Sequence, residues 1–373
     1  MKTSKLRPKY VEKGKRIVEG TTVFQDQIPD YKRNNFNILR FFAAILVIVG
    51  HMYHLLGLPV LTLGGQAVST IGVEIFFLIS GYLITQSYIR DSNALRYGMR
   101  RIFRIIPGLA FLSILTAFVF GPLLTSLDSK AYFSNPNTML YLKNILLYPV
   151  YCLPGVFENN IYPNAVNGSL WTLPVEVSMY IILPVVLYLG TKIGHKRVVL
   201  SSAAALVLIC HLIVNGYHPN VRIIFYGTSL ADALTLAPFF FVGALFSLPE
   251  IKKLLNIQLA SVLMIGVMVV QVSYINTEIL MLIALSYFVF SFALSQKPFF
   301  AKCFSKNDYS YGIYLYAFLI QQILTSKLKQ YNLTFNTYLI LSVVGSFFFA
   351  FLSWHLIEKP AQKLGKKIIK SIV

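Results

Sequence analysis

The chain has 373 residues, a length that in a soluble protein would mean two or three domains. Composition excludes such a protein: 56% of the residues are hydrophobic and 13% are charged, against about 25% charged in soluble domains, and the mean hydropathy is +0.65. The same figures exclude disorder, which needs low hydrophobicity.

The net charge is +19, from 33 Lys and Arg against 14 Asp and Glu. In an apolar chain these cations first mark the cytoplasmic flanks of membrane helices. Scattered over many flanks, they do not gather into a nucleic-acid surface. The cysteines, Cys152, Cys210 and Cys303, are far apart and form no CxxC pair. They predict neither a disulfide framework nor a metal site.

Residues 1–34 read as a basic cytoplasmic arm without the apolar stretch of a cleaved signal peptide. A membrane helix needs about 20 mostly apolar residues. Ten segments qualify: 37–56, 66–88, 105–127, 169–190, 198–214, 230–248, 256–274, 279–296, 309–328 and 337–357. Residues 139–154, interrupted by Lys143, Pro149 and Pro154, read as a re-entrant or interfacial helix. Alternate connections hold most of the Lys and Arg. The expectation is therefore an all-α integral membrane protein of about ten transmembrane helices with both termini cytoplasmic. Residues 35–360 form the membrane domain, and 361–373 a basic tail carrying Lys363, Lys366, Lys367 and Lys370.

Ionisable groups inside apolar helices are costly, about 2.5–3.5 kcal/mol each on insertion scales, and they usually face a cavity or a partner. Arg40 and His51 are eleven residues apart on the first helix, which puts them within about 20° of one face and about 16 Å apart. His51 is a candidate proton acceptor, because imidazole titrates near neutrality. Its bland alternative is a hydrogen bond to a neighbouring helix. Glu74, in Gly72-Val73-Glu74, needs a partner or a wet cavity. Ser80-Gly81-Tyr82 follows it, and the small residues there allow close helix approach.

Arg100 and Arg101 sit one helical turn before Arg104. Such a cluster suits phosphate, which guanidinium binds bidentately, although positive flanks arise from topology as well. Before the fourth helix come Trp171, at the outer interface, and Glu176 with Tyr180 on one face. A carboxylate at that depth can orient an imidazole. Asp232 and Arg222 lie near the start of the sixth helix and can bind an acceptor or, the simpler reading, form a local salt bridge.

These residues resemble a known family. Arg40 with ten residues before His51, Phe76-Phe77 followed by Ser80-Gly81-Tyr82, Arg101-x-x-Arg104-x-x-Pro107, and Gly168-x-Leu170-Trp171-x-Leu173-x-x-Glu176 occur in the order seen in the acyltransferase-3 family of multispanning membrane O-acyltransferases. The run Tyr309 to Tyr316 and Glu358-Lys359-Pro360 resemble that family's last two helices. Many members place a His shortly after the Tyr-Leu-Tyr run, where this chain has Ala317.

The resemblance implies a bacterial inner-membrane enzyme. It would move an acyl group, usually acetyl, from cytosolic acetyl-CoA to a hydroxyl of a surface polysaccharide, a lipopolysaccharide or a lipid-linked precursor. On that reading His51 is general base or acyl carrier, Glu176 orients it, and Arg40 positions the donor or stabilises oxyanion charge. Arg100, Arg101, Arg104, Ser80 and Tyr82 would hold the donor, and Trp171, Tyr180 and Glu74 the acceptor. Segment 128–167 would form a rim or lid over the outer side. The competing expectation is a polytopic transporter or flippase of a glycan or lipid precursor. That class often carries repeated halves, and no such repeat is visible here.

Overall fold

The computed structural model describes residues 15–18, 21–24, 34–217, 223–269, 277–295 and 307–371. Most of the N-terminal arm, Arg222 and Cys303 lie outside the described residues, and with Arg222 the expected Asp232 pair. Helix dominates what is described, and strand is limited to three short antiparallel hairpins. The main helices are α1 (Phe36–Leu55), α2 (Val68–Arg90), α3 (Ala94–Leu115), α4 (Thr172–Lys192), α5 (Lys196–Tyr217), α6 (Leu230–Phe246), α7 (Ile257–Val269), α8 (Thr277–Ala293), α9 (Ser310–Lys327), α10 (Phe335–Ser353) and α11 (Lys359–Ser371).

Each of the ten expected segments overlaps one of α1 to α10. Among the described residues, six helical stretches are long and apolar enough to cross a membrane: Phe36–Leu55, Val68–Arg90, Ala94–Leu124, Gly168–Lys192, Lys196–Gly216 and Phe335–Ser371. Three other apolar helices are shorter. Helix α9 is less apolar because it runs through the protein interior and buries Gln321 and Gln322. Gln321 donates to the Ile48 carbonyl (2.8 Å) and Gln322 to the carbonyls of Tyr162 and Ala165 (2.8 and 2.7 Å). Ala317, which stands where many members of the resembled family have a His, is sealed against α1.

Two boundaries differ from expectation. The third helix begins eleven residues early, at Ala94, where the Asn93 side chain accepts the Arg96 N–H at 2.9 Å. Its arginines lowered the local hydropathy and hid these first three or so turns, so Arg100, Arg101 and Arg104 stand on the spanning helix itself. The last span does not stop near 357. A π-helical turn, Trp354–Glu358, joins α10 to α11. It accommodates Pro360, which has no N–H to give. Residues 139–154 form the end of a short helix and a 3-10 turn, Tyr141–Leu146, packed on α3 rather than a further span.

The tightest packing joins α2 to α6. A Cβ on Gly81 would lie 1.9 Å from the Phe240 carbonyl oxygen, and one on Gly243 would lie 2.1 Å from that of Leu78. Two glycines thus let the backbones touch, in the manner of small-residue interfaces in membranes. This contact fixes the depth of Ser80. Gly81→Ala should lower stability by about 3 kcal/mol or more through overpacking, read as a fall in the thermal midpoint of the detergent-solubilised protein. An unchanged midpoint would show that α2 and α6 do not meet here.

Candidate active site

Among the described residues, two cavities of ligand size lie at opposite ends of α1. The first, of about 410 Å³, is lined by Arg40, Arg100, Arg101, Arg104, Ser80, Glu176, Tyr180, Tyr311 and one face of α11. The second, of about 820 Å³, is lined by His51, His54, Ser69, Tyr151, Cys152, Asn164, Trp171, Asp232 and Phe318. Both sizes are those of small-ligand sites. Val73 and Tyr314 line both cavities, so the two spaces abut across these side chains.

The arginine cavity is organised by Asp308, just ahead of α9. Its Oδ2 accepts from Arg40 Nη1 at 3.0 Å and from Arg104 Nη2 at 2.7 Å, and the Ser310 N–H donates to its Oδ1 at 3.2 Å. Burial pushes the Asp308 carboxyl up, but the Arg104 and Arg40 guanidiniums outweigh it and hold the group below the usual carboxylate range. Arg104 also stands 3.6 Å from the buried Glu358 carboxylate and over the rings of Tyr311 and Trp354. The π turn places Glu358 there, where Ser353 donates to it at 3.0 Å.

The three clustered arginines are therefore not a free triad. Arg100 and Arg96 share Asp91, at 2.8 and 2.7 Å, and together they hold that carboxyl well below its usual range. Arg101 has no carboxylate partner among the described residues. It lies over the Tyr97 ring, and its buried Nε has no hydrogen-bond partner.

Glu176 belongs to this cavity too. It accepts from Ser80 Oγ at 2.8 Å and from the Tyr180 hydroxyl through a short hydrogen bond. The expectation that Glu176 orients His51 thus meets a different arrangement, because Ser80 and Tyr180 hold the carboxylate on the arginine side of Tyr314. Arg40 likewise turns to Asp308, so the stripe it shares with His51 serves two cavities.

In the histidine cavity His51 packs edge-on to Phe318, with ring centroids 5.2 Å apart. Its Nδ1 is buried without a hydrogen-bond partner. The segment expected as a rim does line this space, through Tyr151, Cys152 and residues 162–165. Between the cavities, Tyr314 is fixed by the start of α4. Its hydroxyl is 2.6 Å from Thr172 Oγ1 and donates to the Ser169 carbonyl at 2.9 Å.

Two expected site residues line neither cavity. Tyr82 is two residues past Ser80, about 200° round the helix, and is buried between Phe36 and Phe290. Glu74 is buried beside a much smaller space that it shares with His211 and Glu278. There the Gln66 amide, in the orientation that satisfies both groups, donates to its two oxygens at 3.0 and 3.2 Å.

Sequence reasoning did not single out Asp308, Tyr314 or the cavity-lining face of α11. Asp308 had a signal: one of only 14 acidic residues, it stands directly before the Tyr309-Ser310-Tyr311-Gly312 run. Asp308→Asn should cost about 3 kcal/mol by leaving two half-buried guanidiniums short of a partner. Because the native carboxyl titrates below the unfolded one, its stabilisation is complete above about pH 4 and is lost as pH falls through the lower native value. Thermal unfolding of the variant should thus differ from wild type at pH 7 and converge on it in acid. A constant difference down to the most acidic pH at which the protein folds would refute the ion-pair account.

The acyltransferase domain family matches residues 33–355. An O-acetyl transferase of Shigella phage Sf6 is 31% identical over 335 residues, covering 88% of this chain and 96% of its own length. Nodulation protein 10 of Rhizobium leguminosarum bv. viciae is 31% identical over 362 residues, covering 90% and 95%. A peptidoglycan O-acetyltransferase of Listeria monocytogenes is 26% identical, covering 79% of this chain and 51% of its own. No solved structure matches the chain. The chain belongs to the acyltransferase domain family and is a membrane-embedded O-acetyltransferase.

Proposed function

We propose that the protein takes an acetyl group from cytosolic acetyl-CoA and delivers it to a hydroxyl of a surface glycan or its lipid-linked precursor, across a bacterial inner membrane. One observation carries the reading: the arginine and histidine cavities abut at Val73 and Tyr314. A charged donor and a polar acceptor cannot cross lipid to meet, so each has to enter from its own side and react in the middle. The basic end is assigned to the cytoplasm by the positive-inside rule. Relatives named for O-acetylation, one of them of peptidoglycan, favour acetyl and a glycan.

On this reading the donor phosphates lie among the arginines and the thioester arm runs past Ser80 and Glu176 towards Tyr314. Arg40 stays with Asp308 and sets the charge of the donor entrance. The sugar rests against Trp171 and Asp232. His51, a neutral imidazole with an unengaged nitrogen, takes the acceptor hydroxyl proton as that oxygen attacks the thioester carbonyl. The C–O bond forms and the C–S bond breaks. The CoA thiolate leaves through the arginine cavity and takes a proton from water there, while His51 returns its proton to water in its own cavity.

His51→Gln, in correctly inserted protein, should lower acetyl transfer by about 10²–10⁴-fold, with CoA binding unchanged because the ring is outside the donor cavity. Radiolabel transfer and CoA titration check the two halves. Wild-type turnover by the variant would rule out His51 as the base.

A further inference from the structure

We propose that α11 supplies the missing part of the donor site: Lys366 and Gln362, with Arg101 opposite, clamp the phosphates of the CoA-type donor between α3 and α11. This rests on the reading that the arginine cavity takes the donor. It concerns a helix beyond the family match, which ends at residue 355.

Several cations of the cavity already have acidic partners. Arg40 and Arg104 share Asp308, Arg104 also meets Glu358, and Arg100 is engaged by Asp91. Arg101 is left without a carboxylate, and so is Lys366 among the described residues. Arg90 also lines this cavity, where it donates to the Gln86 carbonyl at 3.5 Å; Arg101 by itself is a weak match for a ligand with several phosphate charges. A second cation across the cavity makes the charge complementary.

Helix geometry supplies the rest. Gln362, Gly365, Lys366 and Ile369 all line the cavity, and their spacing of three, four and seven residues is one helical face. The helix is held close to α3 at Gly365, where a Cβ would meet Phe103 Cγ at 2.6 Å. No larger residue would let α11 sit at this depth. Gln362 Nε2 and Arg101 Nε are both buried without hydrogen-bond partners. Unused N–H donors of this kind suit phosphate oxygens. Lys363, Lys366 and Lys367 are all exposed, but of the three only Lys366 lines the cavity.

The same chemistry would suit the headgroup of an anionic lipid, and the experiment separates the two. Purified full-length protein in detergent is titrated calorimetrically with CoA and, separately, with phosphate-free pantetheine. Lys366→Glu should weaken CoA binding about tenfold or more and leave pantetheine unchanged, whereas Lys366→Arg should stay near wild type. Gln362→Leu should weaken CoA several-fold and serves if the charge reversal disturbs folding. Lys363→Glu changes the net charge equally at a position that does not line the cavity and should leave CoA binding intact.

Equal loss with Lys363→Glu would reduce the effect to bulk charge and overturn the proposal. So would unchanged CoA binding in both Lys366→Glu and Gln362→Leu. Retention of added phosphatidylglycerol that depends on Lys366, with CoA unaffected, would make the occupant a lipid and overturn it as well. Failure of the wild type to bind CoA would instead remove the donor assignment of the whole cavity.

Discussion

The Asp308 carboxylate is the interaction on which the rest of the structure depends. It ties Arg40 of α1 to Arg104 of α3 from the entrance of α9, three helices far apart in sequence. Two guanidiniums this deep in an apolar bundle would repel one another without it. With it they form the fixed wall of a cavity, and Glu358, delivered by the π turn, completes that wall. The knot also explains why Arg40, on the same stripe as His51, works at the other end of the molecule.

The second constraint is the partition at Val73 and Tyr314. Tyr314 is pinned by Thr172 and the Ser169 carbonyl at the start of α4, in the same short stretch that carries Trp171 into one cavity and Glu176 into the other. One helix start therefore sets the geometry on both sides of the partition. The close contact of α2 with α6 at Gly81 and Gly243 holds the opposite wall, and through Ser80 it fixes Glu176. The partition between the two cavities is thus no more than the Val73 and Tyr314 side chains that line both.

Much of this was legible in the sequence. Apolar runs of about 20 residues located the helices, the rule that charges in lipid need a reason singled out Arg40, His51, Glu74 and Glu176, and the spacing of Arg100, Arg101 and Arg104 marked a phosphate-binding cluster. What stayed hidden was pairing. Periodicity places Arg40 and His51 on one stripe, but only the fold shows that Asp308 claims the first and leaves the second alone. Tyr82 looked like a site residue because it stands beside Ser80 in a motif, yet a 200° turn sends it into the aromatic core. Residues 361–373 read as a basic tail because Lys363, Lys366, Lys367 and Lys370 dominate them. The face of α11 with Gln362, Gly365 and Ile369 gains meaning only once α3 is packed against it.

The central claim is that donor and acceptor arrive from opposite sides of the membrane and react at the partition. The most direct measurement is acetyl transfer in proteoliposomes of known protein orientation, with labelled acetyl-CoA and the acceptor glycan placed on the same or on opposite sides. Labelled glycan should form only when acetyl-CoA faces the arginine end and the glycan faces the histidine end. Equal labelling with both substrates on one side would contradict it.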